Sequence, residues 1–248
     1  MPSDHQSLLK ATKRHVAPVI QLPSSMIWKG ASEQDIINQG TLTFVKWDHR
    51  VWAITNAHVV QAYRQAESDV LSVALRSWQA IPGKLRFLGG DACRKAPVDL
   101  AIFEWYDVDA LARAGKVPVD LGDEFDSPNV GEVVLVVGYP GSLREQVDSM
   151  TAAHQLAHVF ATVRSVMSDN VLVRDEHDTL DREARFGGIS GGPVFRVREE
   201  AYSLACITYE GMAPGDAQGS VYGENMVISA SIPFSGELLD SYISMGCH

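Results

Sequence analysis

Three features of this sequence predict an all-β fold: two antiparallel β-barrels with short helices and a closing C-terminal helix. From Gly40 onward the chain breaks into short apolar runs rich in β-branched and aromatic residues. Turn-forming residues separate these runs at regular intervals. The strand–helix alternation that marks βαβ units is missing. At 248 residues the chain can form one large β domain or two smaller ones, with a sizeable core.

In chain order, residues 1–20 read as an arm, loosely held or helical, with Ser3 or Asp4 available to cap residues 5–14. Strands are predicted at 41–47, 51–55, 70–76, 84–88 and 100–105. Asp48-His49-Arg50, Pro82-Gly83 and Gly89-Gly90-Asp91 supply the turns between them. Two short helices interrupt this half. One covers 57–66 behind a Thr55 or Asn56 cap; the other starts at Asp107 or Asp109 and ends near Gly115. The stretch 117–130, with Pro118, Gly122 and Asp126-Ser127-Pro128, reads as the connection between halves. The second half repeats the pattern at 132–138, 156–167, 171–174, 194–198, 203–209 and 226–231. Ser235 then caps an amphipathic helix carrying Leu238, Leu239, Tyr242 and Ile243 on one side. The predicted division is an arm at 1–20, a first barrel over 21–125 and a second over 126–248, together one domain.

Composition narrows the partners. Apolar residues are 46% and charged residues 21%, an ordinary soluble globular balance. With 21 basic and 31 acidic residues the net charge is −10 and no basic block occurs, which disfavours nucleic acid and anionic membranes. No stretch approaches a membrane span, and the polar N-terminus lacks a signal-peptide core. Cys93, Cys206 and Cys247 are odd in number and have no metal-type spacing, which fits a reduced cytoplasmic setting with Cys206 as a small core residue. His154 and His158 stand four apart, a helix spacing, but no third ligand accompanies them and they read as a chance or surface pair. No metal site is expected.

Chemistry concentrates in three short segments. Gly187-Gly188-Ile189-Ser190-Gly191-Gly192-Pro193 sets a serine among glycines ahead of an apolar strand. Such a turn can expose Ser190 Oγ and aim the amides of Gly188 and Ser190 at one point, where an oxyanion would form. By itself it is equally a Gly-rich hairpin turn with an ordinary serine. A serine hydroxyl needs a neighbouring base, and the base needs an orienting carboxylate. His58 lies where the apolar strand ending at Thr55 passes into a helix, a well-fixed position for an imidazole, although a satisfied, partly buried histidine fits there too. Asp99 precedes the apolar run Leu100-Ala101-Ile102-Phe103, where it is expected to be partly desolvated and to require a hydrogen-bond partner. That partner could be His58 Nδ1–H or a turn backbone. Taken together, His58 and Asp99 in the first predicted barrel and Ser190 in the second imply a site in the cleft between them.

Thr55-Asn56-Ala57-His58-Val59-Val60, Asp99-Leu100-Ala101 and Gly188-Ile189-Ser190-Gly191-Gly192-Pro193 resemble the histidine, aspartate and serine motifs of trypsin-like serine proteases of the chymotrypsin fold. Within that family the chain looks most like bacterial cytosolic or HtrA-type members, without a recognisable PDZ module. The resemblance spans about residues 38 to 245. It implies His58 as general base and acid, Asp99 as its orienter, Ser190 as nucleophile, and the amides of Gly188 and Ser190 as the oxyanion hole. It also implies that Tyr209-Glu210-Gly211 pairs with substrate backbone, and that Ala184 lines the specificity pocket, favouring a small or apolar residue over a basic one. Glu183 and Glu210 nearby leave that preference open.

Two departures matter. Ile189 stands where the digestive enzymes carry the aspartate that captures a new N-terminus, so that activation switch is unavailable. Val59 stands where disulfide-bearing members have a cysteine, in keeping with a reducing compartment. Gly188-Ile189-Ser190-Gly191-Gly192 also satisfies the GxSxG elbow of α/β-hydrolases, but that fold needs its histidine after the serine, and His248 at the terminus is a poor candidate. The expectation is a serine endopeptidase acting on proteins or peptides without a cofactor. The alternative is a protease-fold binding module or effector whose oxyanion loop a partner protein must open. The polar stretch 175–185 with Arg185-Phe186 motivates that alternative.

Overall fold

The computed structural model describes residues 2–23, 38–60, 69–75, 78–80, 85–87, 99–121, 127–148, 151–167, 170–175, 188–198, 201–212 and 227–244. Helix α1 (Pro2–Thr12) and a 3-10 turn lead into β1 (Val16–Pro23). Then follow β2 (Asn38–Trp47), β3 (Arg50–Thr55), β4 (Asp69–Ala74), β5 (Trp78–Ala80), β6 (Leu85–Phe87) and β7 (Ala101–Glu104). After α2 (Val108–Arg113) come β8 (Val119–Asp120), β9 (Val133–Gly138), β10 (Arg144–Asp148), β11 (Thr151–His154) and β12 (Ala157–Val166). The remainder is β13 (Asn170–Arg174), β14 (Pro193–Arg198), β15 (Ala201–Met212), β16 (Val227–Pro233) and α3 (Gly236–Ser244).

The first seven strands form one antiparallel sheet in the order β5-β4-β1-β2-β3-β7-β6. The two-residue β8 joins it parallel to β2. The second half closes into a six-stranded barrel, β12-β13-β16-β15-β14-β9, and β10 with β11 makes a separate hairpin. The all-β prediction therefore holds.

Local chemistry explains the joints. Trp47 pairs with Arg50 across Asp48 and His49, whose φ values of 47° and 61° suit the twist of a two-residue hairpin. Asp107 Oδ1 accepts the Ala110 N–H at 2.9 Å and starts α2, which gives way to Gly115 at φ +71°. Ser235 Oγ accepts the Leu238 N–H at the start of α3.

Strands β3 and β9 read as unbroken apolar runs because both their faces are covered. In β3, Val51 and Ala53 enter the core of the first sheet, while Trp52 and Ile54 enter a second cluster. In β9, Val134 and Val136 fill the barrel, while Leu135 and Val137 face that same second cluster. This shared core, with Leu100, Phe195, Phe234 and Leu239, holds the two sheets against each other.

Several expectations need correction. Residues 16–20 are not part of an arm, since they begin β1, which pairs with both β2 and β4. Pro18 hid this strand, and it is tolerated because the β4 pairing starts only at Val19. The connecting stretch contains β8. His154 and His158 lie on strands β11 and β12, not on a helix, and are half-buried rather than on the surface. Neither Thr55 nor Asn56 caps the helical turn at 57–60 by its side-chain oxygen; the His58 N–H that such a cap would take is held by Asp99. Among the described residues no helix is long and apolar enough to cross a membrane.

Candidate active site

Thr55 ends β3 opposite Ala101, the first residue of β7. This register sets the residues just beyond Thr55 beside the residues just before Ala101. Asp99 is consequently bound four times by one short segment. Its Oδ1 accepts the His58 backbone N–H at 2.9 Å, and its Oδ2 takes His58 Nδ1. Its carbonyl accepts Asn56 Nδ2 at 2.8 Å and the Ala57 N–H at 3.3 Å. With Nδ1 committed to the carboxylate, the Nδ1–H tautomer leaves Nε2 with its lone pair. The His58 side chain is 44% exposed and that of Asp99 20%, so the imidazole reaches solvent while its partner is shielded.

Ser190 sits in a turn that only glycine can build. Gly188 and Gly191 have φ of +102° and +88°. A Cβ at Gly191 would overlap the Thr41 carbonyl and lie 2.5 Å from Thr55 Oγ1; one at Gly188 would lie 2.6 Å from the Tyr139 carbonyl. The turn is tied to the first sheet through β2. Thr41 N–H donates to the Ser190 carbonyl at 2.9 Å, Thr41 Oγ1 to the Gly188 carbonyl at 2.9 Å, and Thr43 Oγ1 to the Gly191 carbonyl at 2.7 Å. Toward β15, Gly191 N–H donates to the Thr208 carbonyl and Thr208 N–H to the Gly192 carbonyl, at 2.9 and 2.7 Å. Among the described residues the amides of Gly188 and Ser190 have no partner of their own.

Ile189, between those two amides, is fully buried in the barrel core with Val136, Val194 and Cys206. Its side chain covers Gly138, where a Cβ would lie 2.5 Å from Ile189 Cγ1. An apolar anchor thus occupies the position expected to matter for activation.

The two halves meet here. A Cβ at Gly40 would touch Val59 Cγ1 at 2.5 Å and the Ser190 carbonyl at 3.2 Å, so the residue after His58 and Ser190 pack around one glycine. The Tyr209 ring stands edge-on to the His58 ring with centroids 6.1 Å apart. Glu210 and Gly211 continue β15, in register with Ser229 and Ile228 of β16. The β14 pairing ends at Ile207, five residues before β15 does. Ala184, Glu183 and most of the 175–185 stretch, like Cys93 and Cys247, lie outside the described residues. Cys206 is wholly buried, and desolvation pushes its thiol up to about 12.

Thr41 and Thr43 were not singled out from the sequence, and Asn56 only as a cap. The signal was there: Thr41-Leu42-Thr43 puts two hydroxyls on one face of an apolar strand, and both residues are fully buried. Buried hydroxyls at period two require polar partners.

A family model of the trypsin-like peptidase domain matches residues 40–202. No curated protein matches the chain in sequence. Similar solved structures include a thermostable serine protease, AL20, from an extremophilic microorganism, at 13% identity and TM-score 0.56 over 94% of this chain and 96% of that one. Another is the scabies mite inactivated protease paralogue S-I1, at 15% identity and TM-score 0.56 over 94% of each chain. At these identities the likeness is one of fold alone.

Proposed function

Because the chain belongs to the trypsin-like peptidase domain family, we propose that it is a serine endopeptidase working through Ser190, His58 and Asp99. The carrying observation is the grip of Asp99 on both the backbone N–H and the Nδ1 of His58, while the next residue, Val59, packs with the Ser190 carbonyl around Gly40. In the first half-reaction Ser190 Oγ attacks the scissile carbonyl carbon as its proton passes to His58 Nε2. Asp99 stabilises the imidazolium, and the amides of Gly188 and Ser190 receive the oxyanion. His58 then protonates the departing amine, the C–N bond breaks, and an ester to Ser190 is left. Water, deprotonated by His58, attacks that ester; the acid leaves and Ser190 Oγ regains its proton.

The substrate in this reading is a protein or peptide whose backbone lies along Tyr209-Glu210-Gly211, with Ala184 in the pocket for the side chain before the cut. The run of β15 beyond its β14 partner supports an added strand there. The reading needs no cofactor. A cytoplasmic setting belongs to it as well, supported by Val59 in place of a disulfide cysteine and by the inert, buried Cys206.

Intact-mass measurement after treatment with a fluorophosphonate tests the reading. One adduct on the wild type and none on Ser190→Ala is the expected result. A folded wild type that takes no label would favour the second reading, a protease-fold binding module or one opened by a partner protein. The inactivated scabies mite paralogue has the same fold, which keeps that second reading in view.

A further inference from the structure

Gly188 and Ser190, whose amides have no partner among the described residues, are held at their carbonyls by one residue. Thr41 donates its hydroxyl to the Gly188 carbonyl and its backbone N–H to the Ser190 carbonyl, each at 2.9 Å. The same hydroxyl oxygen accepts the Tyr139 N–H at 3.0 Å. Thr41 therefore joins Tyr139, the residue after β9, to both ends of the Gly188–Ser190 segment. It is fully buried, so water does not compete for these bonds.

We infer that Thr41 is a positioning residue that presets the oxyanion hole, an inference resting on the reading of Ser190 as nucleophile. The reason lies in the backbone. Gly188 has no side chain to hold its conformation, and its φ of +102° is one of several it can adopt. Rotation about its ψ would swing the Gly188 carbonyl away together with the Ile189 N–H of the same peptide, and would re-aim the Ser190 amide that follows relative to the amide of Gly188. The bond from Thr41 Oγ1 opposes that rotation at one end, and the bond from Thr41 N–H fixes the other end at Ser190. The barrel core then holds the middle through Ile189. A segment pinned at three successive residues keeps its geometry without substrate or partner. Donors fixed in advance are the ones that lower a barrier without reorganising during the reaction.

The hydroxyl is the separable part. Thr41→Val keeps the shape and the backbone bond but removes the donor to Gly188 and the acceptor for Tyr139. Thr41→Ser restores both, and Thr41→Cys keeps a weak donor. Thr43→Val is the comparison for the donor bond, because it removes a buried hydroxyl donor of the same type from the carbonyl of Gly191, after the serine.

The full chain and these variants would be compared in fluorophosphonate labelling rate, in kcat and KM on a fluorogenic peptide, and in amide exchange over 186–196. Thr41→Val is expected to lower labelling and kcat by about 10- to 100-fold, somewhat less than deletion of an oxyanion donor, with KM within about twofold of wild type. Thr41→Ser should stay within about threefold of wild type, and Thr41→Cys should fall between. Exchange should rise at 188–190 in Thr41→Val and not in Thr41→Ser. Equal losses in Thr41→Val and Thr43→Val would overturn the inference, as would a rise in KM in place of the fall in kcat. Should Thr41→Val not fold, the order of Ser above Cys decides the matter. An unlabelled wild type would instead overturn the peptidase reading, and the exchange measurement would then judge Thr41 by itself.

Discussion

The Tyr209 ring stands almost perpendicular to the imidazole of His58, at 88° and 6.1 Å between centroids. The tyrosine comes from β15 and the histidine from the turn after β3, so this contact spans the two halves of the molecule. Edge-to-face aromatic pairs are worth about 0.5–1.5 kcal/mol beyond burial, enough to bias one imidazole orientation over others. Tyr209→Ala should lower kcat/KM about three- to tenfold, while Tyr209→Phe, which keeps the ring, should match wild type. Steady-state kinetics on a peptide substrate checks this, and equal loss in both variants would move the role from the ring to the hydroxyl.

Asp99→Asn separates charge from architecture. The Asp99 carbonyl keeps its bonds from Asn56 and Ala57 whatever the side chain, so the fold should survive. An asparagine amide, however, donates to His58 Nδ1 and drives the proton onto Nε2, where it cannot accept from Ser190. Turnover should fall by about 10⁴-fold. A thermal midpoint close to wild type together with that loss supports Asp99 as the orienter; a barely changed rate removes it from the site.

Much of this site was legible in the sequence because its parts are local. The apolar run before His58, the run after Asp99 and the glycines around Ser190 each carry their own signal, and the strands they border appear where expected. Long-range polar contacts carried no such signal. Thr41 bonds to a residue 147 positions away, and nothing near Thr41 in the chain reports that partner. β1 was missed for a different reason: Pro18 argues locally against a central strand, and only the stagger of β4 makes it acceptable. The hairpin of β10 and β11 was missed as well, since Arg-Glu-Gln-Val-Asp lacks the alternating apolar pattern that marks a half-buried strand.

Gly138 offers a test of the apolar anchor. A methyl group there would lie 2.5 Å from Ile189 Cγ1, 3.2 Å from Ile189 Cα and 3.1 Å from Thr41 Oγ1. The backbone atom cannot yield without moving the turn. Gly138→Ala should cost about 1–3 kcal/mol of stability, as overpacking does. It should also slow fluorophosphonate labelling of the protein that remains folded. Labelling at the wild-type rate after correction for the folded fraction would show that the position of Ile189 does not govern Ser190.

Acid should loosen the protein through histidines away from the site. His15 Nδ1 faces the Val117 carbonyl at 2.5 Å, which can only accept, so His15 donates there and accepts at Nε2 from the Tyr202 hydroxyl at 2.7 Å. Burial holds its pKa below the ordinary 6.5. On β11, burial first and the Arg144 charge second bring His154 down to about 4. In both cases the unfolded chain binds a proton that the folded one refuses. Their contribution is therefore fully present above pH 6.5, and it is lost as the pH falls from there, to about 4 for His154. Thermal midpoints should decline steadily as the pH falls below about 6.5. His154→Gln should flatten the lower part of that decline. An unchanged slope in His154→Gln would mean that the half-buried imidazole of β11 opens to solvent before it titrates.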